Sequence, residues 1–184
     1  MSTDQVAGVG VDGQVTWARG PVTLPAVIDE PFFLTVAGIA MSFAGFAGLM
    51  NALRRRGESW APIELYQLRI IVAYAITTLF GSLSTIPFVE LFGQREGVQW
   101  LGGVMLIASS SLGFGNMLSD IRGGHGTTLP TRVRATFTTI TILGLLLFLG
   151  TAITGALPLY RAALILMLAM PAGTFVYVVA RLER

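Results

Sequence analysis

The sequence predicts an all-α integral membrane protein, a bundle of five transmembrane helices with the N-terminus outside and the C-terminus in the cytoplasm. The first reason is composition. Of 184 residues, 53% are hydrophobic and 12% are charged, and the mean hydropathy is +0.71, whereas soluble domains have about 25% charged residues. The other two reasons are five charge-free runs and the uneven distribution of arginine around them.

Residues 1–31 precede the first span and are expected to form an extracytoplasmic tail. Apart from Arg19, their charged residues are acidic, and they lack the basic start and short apolar core of a secretory signal peptide. The alternating pattern around Asp12 and Gly13 is typical of a small β-hairpin. Because a lone hairpin is only marginally stable in water, a flexible tail and an ordered hairpin are both open.

Residues 32–184 are expected to form the five-helix transmembrane domain. Each charge-free run is close to the ~20 residues that cross the hydrocarbon core as a helix. A single helix over 135–180 would be roughly 70 Å long, more than twice the membrane thickness, and Gly155, Pro158 and Arg161 provide a turn instead. The predicted spans are about 32–53, 65–89, 97–119, 135–157 and 159–181.

Arginine is concentrated on one side of these spans, and short cytoplasmic loops are enriched in basic residues. The side assigned to the cytoplasm has Arg54, Arg55, Arg56, Arg69, Arg122, Arg132, Arg134, Arg181 and Arg184, and the other side has only Arg19, Arg95 and Arg161. The cluster Arg54, Arg55 and Arg56 ends the first span. We expect it to contact anionic lipid headgroups.

Two spans have small residues at helical spacing. Ala40, Ala44 and Gly48 share one face of the first span, and Ser109 and Gly113 share a face of the third. Small residues allow membrane helices to approach closely, although they are common in such helices generally. We expect helix–helix contacts here, within the chain or between copies.

A polar cluster is predicted near the cytoplasmic ends of the first three spans. It consists of Asn51, Arg69, Asn116 and Asp120, and Arg69 and Asp120 are its expected ion pair. Polar side chains within a membrane normally turn toward protein or water. The cluster can lock three helices in register or form part of a proton or ion route, or its members can reach the interface separately.

Hydroxyl groups follow one face of the second span at Tyr74, Thr78, Ser82 and Thr85, and the fourth span is rich in threonine. A pore can be lined by such groups. A helix can also satisfy them internally, because serine and threonine donate to carbonyls of their own helix.

The sequence lacks the residues that several kinds of catalytic and binding site require. The chain has no cysteine and one histidine, His125, so we predict no metal site and no bound cofactor. His125 lies in a glycine-rich loop and can be a general base, a single cofactor ligand or a solvated residue. Neither GxSxG nor HExxH occurs, so an enzyme is not expected. A net charge of +2 is too small to indicate nucleic-acid binding.

The run FAGFAGL, followed by RRRGESW and then LYQLR, lies within residues 32–70. It resembles a recurrent pattern of small, uncharacterised bacterial multi-span inner-membrane proteins. The resemblance implies a bacterial inner-membrane location and a compact bundle, and it brings no known activity.

Two functions fit these observations. The first is a non-catalytic integral membrane subunit that forms a homo-oligomer or is an accessory component of a larger inner-membrane complex, for example an energy-transducing one. The alternative is a small oligomeric channel or transporter with a hydroxyl-lined path. The expected partners are the lipid bilayer with its anionic headgroups, and other membrane subunits or copies of the chain.

Overall fold

The computed structural model describes residues 29–53, 62–123 and 131–182, without the side chains of 51, 53, 62, 63, 117, 119–123, 131–133 and 178–182. Five helices account for almost all of these ranges. They are α1 (Glu30–Leu53), α2 (Pro62–Phe92), α3 (Gln94–Gly123), α4 (Thr131–Thr154) and α5 (Leu157–Leu182). The prediction of an all-α chain with five helices is confirmed for these residues.

Each helix contains a stretch that is long and apolar enough to cross a membrane. These stretches are Glu30–Met50, Glu64–Phe92, Gln94–Asn116, Arg134–Thr154 and Leu157–Tyr177. The chain therefore has the helices of a multi-pass membrane protein. Its orientation stays a prediction.

The helices extend beyond the charge-free runs. For example, α2 begins at Pro62 and contains Glu64 and Arg69, and α3 begins at Gln94. Long polar side chains near the end of a membrane helix can reach the headgroup layer. A charge therefore marks the edge of the hydrocarbon core without ending the helix.

The break between α4 and α5 lies at Gly155 and Ala156, slightly before the predicted boundary at 157–159. Gly155 has a φ of +68°, and its amide donates to the carbonyl oxygen of Thr151 at 2.8 Å. Glycine adopts this left-handed conformation without the Cβ clash of other residues. Pro158, predicted to be in the turn, instead lies in the first turn of α5, where proline is tolerated because the amide has no helical partner.

Helices α2, α3, α4 and α5 form a closed ring in which each packs against the next and α5 packs against α2. Helix α1 lies outside this ring, mainly against α2 and to a smaller extent against α5. We call the end with the breaks at Gly93 and Gly155–Ala156 the closed end. The opposite end, where α2 and α4 begin and α3 and α5 finish, is the open end.

The most tightly packed part of the core lies toward the closed end. Phe33, Phe148 and Tyr160 are fully buried and their rings are in contact. Glycine brings the helices together here. A Cβ on Gly102 would lie 2.8 Å from the backbone nitrogen of Ala152, so α3 and α4 are separated by little more than their backbones.

Candidate functional site

A cleft of about 990 Å³ lies between the four ring helices in the open half of the bundle. Its back is formed by buried side chains of α2 and α5, among them Tyr74 and Thr174. Its edge is formed by exposed side chains of α3 and α4, including Phe114 and Ile142. Because both edge residues lie within candidate membrane spans, the cleft opens where lipid would surround the protein.

The mouth of the cleft is polar. Gln67 is buried, and Tyr66, Asn116, Arg134 and Tyr177 line the same region. Arg134 immediately precedes the charge-free run of α4. Among the residues that the structure describes, it has no acidic partner.

Tyr74 lies at the deep end of the cleft. Thr141 and Asn116 line the cleft together with it. Behind it is a small cavity of about 20 Å³ that Tyr74, Ser109 and Thr141 line together with apolar residues. Such a volume is enough for one water molecule, which needs about 10–15 Å³ and two to four polar partners.

Most serine and threonine hydroxyls of the cleft wall are already bonded to their own helix. Each donates to the carbonyl oxygen four residues earlier, at 2.8 or 2.9 Å. These residues are Ser111, Thr138, Thr141 and Thr174. Because the hydroxyl hydrogen is used in this way, these side chains present no free donor to the cleft.

The hydroxyl row predicted on the second span faces the interior of the bundle. Tyr74 is 4% exposed, and Thr78, Ser82 and Thr85 are fully buried. Thr78 and Thr85 donate to the carbonyl oxygens of Tyr74 and Gly81, whereas the Ser82 hydroxyl has no hydrogen-bond partner among the described residues. Within the same row, the Gly81 carbonyl oxygen accepts a hydrogen bond from the Tyr160 hydroxyl at 2.8 Å. The row therefore continues from the cleft into a tightly packed region.

The predicted polar cluster is only partly within the described residues. Asn116 is half-buried and lines the cleft beside Tyr74, whereas Arg69 is exposed and lies outside the cleft wall. The side chains of Asn51 and Asp120 lie outside the described residues, so the Arg69–Asp120 ion pair stays a prediction. The same holds for the Asp12–Gly13 hairpin, the Arg54, Arg55 and Arg56 lipid contact and any role of His125.

The predicted packing residues have different surroundings. Ala40 is fully buried and Ala44 is half-buried, but Gly48 is exposed and a Cβ there would meet nothing within 4 Å. On α3, the Ser109 hydroxyl contacts the Met167 sulfur of α5 at 3.6 Å. A Cβ on Gly113 would meet Thr141 of α4 at 3.7 Å.

Sequence reasoning did not identify the cleft. Arg134 was assigned only to membrane topology, and Gln67 and Phe137 had no assigned role, although all three line it. No local pattern joins these residues, because they come from separate helices. Within the described ranges, no group of three or more histidine, cysteine, aspartate or glutamate residues is placed to hold a metal ion.

Comparisons of the chain with protein-family models, curated proteins and solved structures found no match.

Proposed function

We propose that this chain is a non-catalytic subunit of the bacterial inner membrane, with its N-terminus outside and its C-terminus in the cytoplasm. It forms a homo-oligomer or is an accessory component of a larger complex, for example an energy-transducing one. The five apolar helices and the arginine distribution support the location and orientation.

The subunit proposal rests on the hydrogen bonds that the hydroxyl groups of the core make. Threonine side chains from three ring helices donate to carbonyls of their own helix, and Tyr160 donates to Gly81. The threonines are Thr78, Thr85, Thr151 and Thr174. Hydroxyls bonded in this way stabilise a rigid bundle, and they leave no continuous row of free hydroxyl donors along which an anion could cross the core or a proton could be relayed.

The outward face of α1 is where we expect contact with another subunit. Gly38, Gly45 and Gly48 lie there, and a Cβ on any of them would meet nothing within 4 Å. The outward face of α4 instead has branched aliphatic residues such as Leu146 and Ile153, which suit lipid. Close approach of a second helix is therefore easier on α1 than on α4.

Purification in mild detergent followed by native mass spectrometry tests this proposal. A defined homo-oligomer, or a complex of constant composition, is the expected result. The purified protein is then reconstituted in liposomes, where we expect no ion flux. Strictly monomeric protein that comes without a partner, or flux through the reconstituted protein, would contradict the proposal.

A small channel or transporter is the second candidate, and the cleft favours it. The cleft reaches Tyr74 at about the middle of the ring helices, and the adjoining cavity has room for one water molecule. Transport would require the tightly packed closed half to open. Substrate-dependent uptake into liposomes would support this candidate over the first.

A further inference from the structure

The cleft has the features of a lipid site, and the first of them is its shape. Along α4 it extends from Arg134 to Leu145, a distance of eleven helical steps and therefore about 16 Å at 1.5 Å per residue. Its edge is exposed at Phe114 and Ile142 inside the candidate spans. A ligand can thus enter sideways from the bilayer, without passing through water.

The second feature is a wall that tolerates an apolar chain. Burying a hydroxyl without a partner is costly, so a row of free hydroxyls would oppose the entry of an acyl chain. In this cleft the hydroxyls of Thr138, Thr141 and Thr174 already donate to their own helices. Between them lie apolar side chains such as Ile70 and Met170. An acyl chain can therefore cover the wall without leaving these donors unbonded.

The third feature is a single cation at the mouth. Arg134 immediately precedes the charge-free run of α4 and so lies at the expected headgroup level, where it has no acidic partner among the residues described. A guanidinium can bind a phosphate group through two parallel hydrogen bonds. Among the described residues that line the cleft there is no aspartate or glutamate, so an anion would meet no opposing charge from them.

We propose that the cleft binds one anionic phospholipid, with its phosphate at Arg134 and an acyl chain directed toward Tyr74. This inference goes beyond the proposed function, and it holds whether the chain is a subunit or a transporter. It differs from general attraction of lipid to surface arginines, because it assigns the headgroup to one residue and the chain to one cavity.

The test is native mass spectrometry of the full chain released from nanodiscs containing equal amounts of phosphatidylglycerol and phosphatidylcholine with identical acyl chains. We expect one retained phosphatidylglycerol, preferred about fivefold over phosphatidylcholine, as one arginine near the headgroups provides. In Arg134→Gln the preference should fall to about one. Arg69→Gln is the matched control, because it removes the same charge at the same end but outside the cleft, and it should keep the preference.

A second pair of variants tests the cavity independently of charge. Ser110→Trp should obstruct the part of the cleft that the acyl chain would occupy and strongly reduce retention of either lipid. Val104→Trp places the same ring on an exposed position of α3 outside the cleft and should leave retention unchanged. If Arg134→Gln does not fold, comparison of Ser110→Trp with Val104→Trp still tests whether the lipid is held in the cleft.

Results of three kinds would overturn the proposal. The first is equal retention of the two phospholipids by the wild type. The second is an equal loss of preference in Arg69→Gln and Arg134→Gln, which would indicate surface attraction only. The third is displacement of phosphatidylglycerol by oleate at equal concentration, or photocrosslinking of position 110 to a second copy of the chain, which would assign the cleft to another occupant.

Discussion

The hydroxyl of Tyr160 on α5 donates a hydrogen bond to the carbonyl oxygen of Gly81 on α2, at 2.8 Å in a fully buried position. The same carbonyl accepts the hydroxyl of Thr85 at 2.9 Å. This pair joins the last ring helix to the first and closes the ring. Tyr160 also contacts the rings of Phe33 and Phe148, so one side chain connects α1, α2, α4 and α5.

Removing the Tyr160 hydroxyl should lower the free energy of unfolding only slightly, whereas removing the whole Tyr160 ring should lower it much more. Tyr160→Phe loses one hydrogen bond, worth about 1 kcal/mol, and the Gly81 carbonyl keeps the Thr85 hydroxyl as a donor. Tyr160→Ala leaves a cavity and should lower stability by about 3–5 kcal/mol. Thermal unfolding in detergent measures both, with Tyr177→Phe as control. Equal losses in the two Tyr160 variants would contradict this ranking.

Neighbouring glycines of α3 should respond in opposite ways to alanine. A Cβ at Gly102 would lie 2.8 Å from the Ala152 backbone nitrogen, which can move only if α4 moves. We expect Gly102→Ala to destabilise the protein. A Cβ at Gly103 would meet nothing within 4 Å, so Gly103→Ala should be neutral or stabilising by up to about 1 kcal/mol through helix propensity. A melting temperature for Gly102→Ala at or above that of the wild type would show that α3 and α4 are farther apart.

A bulky residue on the outward face of α1 should disrupt assembly without unfolding the protomer. Gly45 is exposed and has open space around it, so Gly45→Leu should fit within one copy but obstruct a second helix. Size-exclusion chromatography should show a smaller particle. Gly115→Leu, at an exposed and open position of α3, is the control and should elute like the wild type. An unchanged elution volume for Gly45→Leu would show that the outward face of α1 does not form the contact between subunits.

The orientation can be read with single cysteines, because the chain contains none. Leu91 is exposed beside the break at Gly93, and Leu91→Cys should react with a membrane-impermeant maleimide in intact cells. Gly57→Cys, next to the arginine cluster, should react only after the cells are opened. The reverse pattern would invert the proposed topology.

The predicted Arg69–Asp120 pair has a direct test. Asp120→Ala should lower the melting temperature in detergent if it leaves Arg69 without its partner near the membrane surface. Reversing the pair, as Arg69→Asp with Asp120→Arg, should restore part of the loss. An unchanged melting temperature in Asp120→Ala would mean that the two groups act separately.

The number of helices could be predicted from the sequence because charged residues are excluded from the hydrocarbon core, and this rule acts locally. The cleft could not be predicted in the same way. Asn116 was recognised as a polar residue that should turn inward, and it does line the cleft beside Tyr74. Arg134 was identified only as a flanking charge, because its position next to α2 and α5 depends on how the helices pack.

The angular spacing of residues around α1 explains why only some of the predicted small packing residues are buried. Ala40, Ala44 and Gly48 are four residues apart, so each is rotated by about 40° from the one before. Ala40 therefore packs inside the protomer while Gly48 is exposed. Gly81 and Gly102, whose close contacts hold the ring together, have no such spacing and could be found only from the structure.

The breaks at the closed end also affect how the chain can enter a membrane. One residue, Gly93, separates α2 from α3, and two residues, Gly155 and Ala156, separate α4 from α5. Each pair is therefore a helical hairpin whose crossing requires almost no polar backbone to pass through the lipid. In the proposed orientation, each hairpin would insert during biosynthesis as one unit, tip first, and the ends with more arginine would stay on the cytoplasmic side.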